Sequence, residues 1–321
     1  MNVMRKRVSI VVTTYTNDRL HDVIELIESV RCQTYHMIEL ILVVEEARIM
    51  YENLMYYLRK NSLHGVHIIF SQKKLGLSSA RNLGVEASTG DIIAFVDDDV
   101  ILEPTWAEEL VKVYDDLTII GATGSSEPLW IGHSLTWLPK EFYWLIGCSG
   151  FVNDRMTEVR NVWGWNMSFR RDVFDKGCRF CETYGLRAGA KEAWGQRPPE
   201  DVDISLKSIV RTGGRIIYAP QVRVKHKVNP RRFTFRLIAE KAFFMGRQRR
   251  QIKILYRNLG SDLLTMEKTL LRRILTNTFP WILRNVFKKP VEAWKQFSIT
   301  LIILLLVFLG YCTYHQNRGT I

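Results

Sequence analysis

Cysteine is scarce in this 321-residue chain, and what there is gives no framework. The five cysteines, Cys32, Cys148, Cys178, Cys181 and Cys312, are odd in number and scattered, which argues against a set of disulfides. Cys178 and Cys181 make a single C-x-x-C with no second pair nearby, so the four ligands of a structural zinc site are lacking. They read as ordinary thiols of a reducing compartment. No internal repeat or low-complexity segment is visible, and 47% hydrophobic with 24% charged residues excludes a disordered tail or a collagen-like chain. The N-terminus does not read as a signal peptide: Met1–Arg7 is basic, but the apolar run behind it breaks at Thr13 and Thr14, and a signal peptide needs a longer apolar region and a small-residue cleavage site.

Long uncharged runs are also missing until the far end. Phe297–Tyr314 (FSITLIILLLVFLGYCTY) then carries no charge over 18 residues. As a helix it would reach about 27 Å, close to the roughly 30 Å of bilayer hydrocarbon. With only seven residues behind it, no later element is left to cover it, so it is expected to be a transmembrane helix. Arg284, Lys288, Lys289 and Lys295 precede it and Arg318 alone follows, which places the body in the cytoplasm as a single-pass protein of the cell membrane.

Charge is divided along the chain. Residues 223–296 hold 19 Lys and Arg against 4 Asp and Glu, whereas residues 1–222 hold 25 against 29. A basic segment of that kind seeks an anionic surface, lipid headgroups or nucleic acid. Basic residues interleaved with aromatics directly before an apolar run favour membrane lipids as partners and argue against nucleic acid. Four regions follow: a body at 1–222, a basic membrane-surface helical region at 223–296, the apolar helix at 297–314 and a short tail at 315–321.

The body alternates strand and helix. Val8–Thr14, Ile38–Val44, Val66–Phe70 and Asp91–Val96 are continuous apolar runs, the mark of strands buried on both faces. Helical stripes lie between them at Leu20–Gln33, about 47–62 and Leu77–Ala87, the last with its N-cap expected at Ser78 or Ser79. Pro104 opens another helix, to about Asp116. Four alternations imply a mostly parallel sheet flanked by helices, an α/β fold. After Gly121 the alternation fails. A helix at Val202–Arg211 and a strand at Arg215–Ala219 are the next clear elements. Trp130, Trp137, Trp144, Trp163, Trp165 and Trp194 crowd this stretch, either as an aromatic core or as stacking platforms for a ring or lipid substrate.

Chemistry concentrates at a few places. The fourth strand runs into Asp97-Asp98-Asp99, at the carboxyl edge where parallel sheets bind ligands. Period-two alternation puts Asp97 and Asp99 on one side and Asp98 on the other. Three adjacent carboxylates repel one another unless a cation neutralises them, and hard oxygens suit Mg²⁺ or Mn²⁺. Glu200-Asp201 opens a helix after Pro198-Pro199, as a dipole-favoured first turn or as a general base. Gly76-Leu-Ser-Ser-Ala-Arg81-Asn82 is a glycine turn into a helix start, where backbone amides and Arg81 suit a phosphate. His226 lies in a strand-like stretch.

Taken in order, these residues resemble family 2 glycosyltransferases of the GT-A fold over about residues 8–230. Thr14 and Tyr15 resemble the family's nucleotide-contacting turn. Glu45 stands where the family has an Asp that binds the base, and is a longer acid. GLSSARN resembles its G-x-x-x-A-R-N helix start. The resemblance assigns Thr14, Tyr15, Glu45, Arg81, Asp97 and Asp98 to the nucleotide sugar, and Asp99 with His226 to the divalent metal. Asn161–Phe174 (NVWGWNMSFRRDVF) resembles the segment near the acceptor, which brings in Trp165 and Asn166, and Glu200 of the family's E-D motif is assigned to the acceptor side with them. Asp201 matches the catalytic base of the E-D motif. LPKEFYWLIG at 138–147 and PPEDVDISLK at 198–207 are similar to archaeal enzymes that build N-linked glycans on dolichyl carriers. The implied reaction is one inverting displacement, from a nucleotide sugar, a UDP-sugar first, onto a sugar hydroxyl of a polyprenyl- or dolichyl-phosphate-linked saccharide. Arg81 and the metal would stabilise the leaving diphosphate. Two other enzyme readings stand beside it: a polyprenyl-phosphate sugar synthase, with the lipid phosphate as acceptor, and a nucleotidyltransferase, which would release pyrophosphate.

Overall fold

The computed structural model describes residues 6–150, 155–184, 198–259 and 263–314. Two compact units are present. The first holds residues 6–127, 155–184 and 200–227, and the second holds 128–150, 198–199, 228–259 and 263–314.

The first unit is built on the expected parallel strands. β1 (Val8–Thr14) pairs in parallel with β2 (Ile38–Glu45) and with β4 (Ile92–Val96), and β2 pairs in parallel with β3 (Val66–Ser71). The helices α1 (Leu20–Arg31), α2 (Arg48–Lys60) and α3 (Leu77–Ala87) link these strands. β1, β2 and β4 are buried almost throughout, as continuous apolar runs require when both sheet faces are covered. α3 departs from expectation at its start. Gly76 takes the N-cap position with φ 87°, in the region open to glycine, and Ser78 is buried with its hydroxyl donating to Tyr184 O.

Beyond β4 the sheet turns antiparallel. β5 (Val100–Leu102) leads to α4 (Trp106–Val113) and then β6 (Ile119–Trp130). β7 (Thr157–Glu158), β8 (Asn166–Arg170) and the short α5 (Arg171–Asp175) come next, followed by α6 (Glu200–Thr212) and β9 (Arg215–Val228). Strand order is β3-β2-β1-β4-β8-β6-β9-β5, with β7 beside β9. β8 pairs antiparallel to both β4 and β6, and β5 pairs antiparallel to β9. β6 carries Gly, Ser and Thr where a buried strand usually carries aliphatics. The reason is close approach: a Cβ on Gly124 would lie 1.9 Å from Val222 O.

The second unit is helical. α7 (Phe235–Leu255) is capped by the Thr234 hydroxyl, and α8 (Thr265–Arg273) runs through a π-turn at Ile274–Thr278 into α9 (Phe279–Asn285). α10 (Pro290–Thr313) contains the apolar segment. Leu138, Phe142, Leu145 and Ile146 pack with Ile238, Ala242, Ile299 and Ile303 into one core, and the Thr278 hydroxyl donates to the buried Glu141 carboxylate. α10 is the one helix among the described residues long and apolar enough to cross a membrane, and 22% of its apolar window is buried. α7 packs along one side of it, where Ile299, Ile303 and Gly310 are buried, while Leu301, Leu305 and Phe308 stay exposed. A Cβ on Gly246 would lie 1.9 Å from Val307 O, and one on Gly310 would lie 1.9 Å from Phe243 O, so the two backbones meet where neither has a side chain. Trp130 and Tyr143 meet edge to face in this unit, whereas Trp163 and Trp165 belong to the first. Trp194 and the tail at 315–321 lie outside the described residues.

Candidate active site

The centre of the site is the turn between β4 and β5. Asp98 and Asp99 form a tight turn behind Asp97 rather than a strand extension, and Asp98 is turned away from the other two, as the alternation predicts. Asp97 and Asp99 come together with His226, with ligand atoms all within 4.8 Å of one another. Asp98 points to β1, where its Oδ2 accepts from the Thr14 hydroxyl at 2.7 Å. His226 arrives by strand register: Val100 pairs with His226 across β5 and β9, which sets the imidazole Nε2 2.9 Å from Asp99 Oδ1.

Burial dominates the electrostatics. It raises the Asp97 carboxyl above its ordinary range, and the Asp99 charge adds to the shift while Arg81 opposes it. Burial likewise lifts Asp98 to about 6 against the pull of Thr14 and Arg19. Burial would raise Asp99 as well, but the hydrogen bond and charge of His226, with Arg19, outweigh it and hold Asp99 at about 2. Two carboxylates and one imidazole converging on one point make a fitting cage for a divalent ion, which would also neutralise a carboxylate that burial disfavours.

Arg19 is the residue that sequence reasoning missed. It closes a short turn, Asn17–Arg19, that the Thr16 side chain caps after β1. Its Nη1 donates to Asp99 Oδ2 at 2.5 Å and to Asp22 at 3.2 Å, and its Nε lies 4.0 Å from Asp98. Nothing in T-N-D-R-L marks it out, because the signal is the partner brought by folding.

Arg81 has another setting than the one expected. Its guanidinium is buried, pairs with Glu200 at 2.9 Å, lies 3.8 Å from Asp97 and packs over the Phe180 ring. It therefore ties the metal-side turn to the start of α6, where Asp201 follows Glu200. Asp201 is half-buried and one of its carboxylate oxygens accepts from Val202 N at 2.8 Å. Glu45 is buried and clamps the loop before α3, its Oε2 accepting from Leu75 N at 2.6 Å and Gly76 N at 2.8 Å. Tyr15 is exposed, with Lys74 Nζ 5.1 Å from its ring centre.

On the acceptor side the outcomes divide. Trp165 stacks on Trp163 at 5.7 Å between ring centres, and Trp163 contacts Tyr218. Asn166 is corrected: it is a buried junction, not a group facing an acceptor. Its Oδ1 accepts from Trp106 Nε1 at 3.0 Å, and its Nδ2 donates to Ser125 O and Val222 O at 3.2 and 2.9 Å. Those bonds hold α4, β6, β8 and β9 together and use both amide hydrogens of a side chain that is buried.

A mixed α/β sheet with an acidic turn after a parallel strand, and a histidine brought beside it from β9, fits a sugar-transferase type of site, and comparison with known proteins gives the family. The glycosyl transferase family 2 model matches residues 9–178, and the chain belongs to that family. It is a glycosyltransferase. It is 32% identical over 302 residues to the glucosyl-dolichyl phosphate glucuronosyltransferase of Haloferax volcanii, covering 92% of each chain. It is 27% identical over 179 residues to the putative glycosyltransferase EpsH of Bacillus subtilis, covering 52% of this chain and 48% of that one. Among solved structures, the mannosyltransferase PcManGT of Pyrobaculum calidifontis, in complex with GDP-Man and Mn²⁺, superposes with a TM-score of 0.62 at 15% identity, covering 97% of this chain and 88% of that one. S. aureus TarS superposes with a TM-score of 0.53 at 13% identity, covering 97% of this chain and 56% of that one. These structural likenesses show the GT-A-like fold.

Proposed function

We propose that this chain is a membrane-associated, metal-dependent inverting glycosyltransferase. It moves a sugar from a nucleotide sugar to a saccharide carried on a polyprenyl or dolichyl phosphate. The observation that carries the reading is the Asp97–Asp99–His226 cluster tied through Arg81 to Glu200, beside Asp201. The acceptor class rests on the relative whose name gives glucosyl-dolichyl phosphate as its substrate. UDP-glucuronate is accordingly the first donor to test.

Asp99 and His226, with Asp97, would hold the ion, and the imidazole in the set favours Mn²⁺ over Mg²⁺. When bound, the ion would offset charge on the departing diphosphate. Tyr15 and Thr14 border the nucleotide side, and Glu45 shapes the loop that faces it. Asp201 takes the proton from the acceptor hydroxyl, and Trp165 offers a face to the acceptor sugar. Arg81 holds the two halves of the site in register. A phosphate acceptor would be anionic already and would need no base, so Glu200-Asp201 supports a hydroxyl.

The body, residues 1–222, would work on the cytoplasmic side of the cell membrane. The basic region at 223–296 meets the anionic leaflet, and residues 297–314 of α10 supply a single crossing. The test is a donor panel with native lipid extract and Mn²⁺, following the nucleoside diphosphate released. UDP released only with lipid present supports the reading. Pyrophosphate release would identify a nucleotidyltransferase instead.

A further inference from the structure

The metal-side carboxylates are held by a closed chain of charged contacts that the chemistry above does not use. Lys227, next to His226 on β9, donates to Asp22 Oδ1 at 2.6 Å and also pairs with Glu25. Asp22 Oδ2 accepts from Arg19, and Arg19 donates to Asp99 Oδ2 at 2.5 Å. Asp99 Oδ1 faces His226 at 2.9 Å, which returns to β9. The ring therefore runs Lys227, Asp22, Arg19, Asp99, His226, and joins α1, the acidic turn and β9.

Within it the two oxygens of Asp99 have separate partners. Oδ2 is taken by Arg19, and Oδ1 is turned toward the imidazole and the Asp97 side. A carboxylate left with two equivalent oxygens can rotate about its last torsion, and a ligand that rotates loses ion affinity. An arginine suits this place because Nη1 serves both Asp22 and Asp99 while a second nitrogen, Nε, lies 4.0 Å from Asp98, a two-nitrogen arrangement that a lysine ammonium cannot reproduce.

We propose that Arg19 is the positioning residue of the metal centre: it fixes the Asp99 carboxylate so that Oδ1 and the His226 imidazole present a preformed edge to a divalent ion. Arg19 does not itself touch the ion or the sugar. This rests on the metal reading of the site. Outer-shell partners of metal ligands usually change affinity by about 10–100-fold when removed, and that range is expected here.

The test is Mn²⁺ binding to the full chain in detergent, read by electron paramagnetic resonance of free Mn²⁺ without any nucleotide sugar. Arg19→Ala should weaken binding by about 10–100-fold. Arg19→Lys should restore the charge and little of the affinity. Asp22→Asn, which loosens Arg19 without removing it, should fall between Arg19→Ala and wild type. Melting curves of each variant show whether it folds, and Asp22→Asn keeps the test open if Arg19→Ala does not. Unchanged Mn²⁺ affinity in folded Arg19→Ala would overturn the proposal and leave the metal reading intact. Tighter binding would overturn it too, since Arg19 would then compete with the ion. Absence of Mn²⁺ binding in the wild-type chain would overturn the metal reading and the proposal with it.

Discussion

His226 and Asp99 lie 127 residues apart in the chain, yet the imidazole Nε2 sits 2.9 Å from the Asp99 carboxylate. A single strand register, Val100 against His226, produces that contact. The site thus depends on β9 as much as on the acidic turn. Asp99→Ala and His226→Ala should each remove divalent-ion dependence together with transfer, because each takes a ligand from a three-ligand cluster. Assays across a Mn²⁺ series with chelated controls check this. Full activity in chelated wild-type enzyme would contradict it.

Acidity should act on stability and on metal binding in opposite senses. Burial holds the Asp98 carboxyl at about 6 in the folded protein, above its ordinary 3.8. The folded state then binds more protons than the unfolded chain between those values, so metal-free protein should gain stability as pH falls from about 7 toward 4. Asp97, also raised, adds to this. Asp99, held at about 2, contributes stability that is present above 3.8 and lost as pH falls from there through 2. Melting curves without metal should therefore pass a maximum on the acid side. Added Mn²⁺ should stabilise most at neutral pH and progressively less below about 6, where protons compete for the carboxylates.

Asp201→Asn should bind nucleotide sugar as well as wild type and lose transfer by roughly 10²-fold or more. Equilibrium donor binding beside single-turnover rates separates the two effects. Glu200→Gln should behave differently, since it releases Arg81 from its 2.9 Å ion pair and disturbs the donor side as well. An unchanged rate in Asp201→Asn with a hydroxyl acceptor would place the base elsewhere.

The helical unit makes two predictions of its own. Gly310→Val drives a Cβ into Phe243 O, so it should destabilise that unit by at least about 1–3 kcal/mol, the usual cost of overpacking. Leu305 and Phe308 are exposed on α10, so changing both to Asp should leave the fold and weaken membrane partition. Vesicle flotation at low and high salt reads both terms, because the basic contribution is screened by salt and the apolar one is not.

Much of this was legible in the sequence. β1, β2 and β4 read as apolar runs because both faces of each are covered, the partly exposed edge strand β3 reads from its β-branched and aromatic residues, and α3 matches its expected span, Leu77–Ala87. β6 and β8 were not legible. β6 places Gly124 and Ser126 at buried positions, Gly124 at a close backbone approach, and β8, five residues long, alternates the hydrogen-bonded Asn166 and Ser168 with Met167 and Phe169, too short a run to stand out. In the site, clustered acids announced the metal turn, whereas Arg19 became visible only through its partners. Asn166 misled because a motif position says which residue is present and not which way its amide is engaged. The partnership of α10 with α7 was hidden for the same reason as β6: two glycines mark the contact, and a glycine has no hydropathy to read.

The most direct test of the account is mass analysis of lipid products. The purified chain is given UDP-glucuronate and Mn²⁺ with either glucosyl-dolichyl phosphate or dolichyl phosphate. The glycosylated carrier alone should gain one sugar, and chelation or Asp99→Ala should stop the gain. Sugar appearing on bare dolichyl phosphate, or a gain that survives chelation, would contradict it.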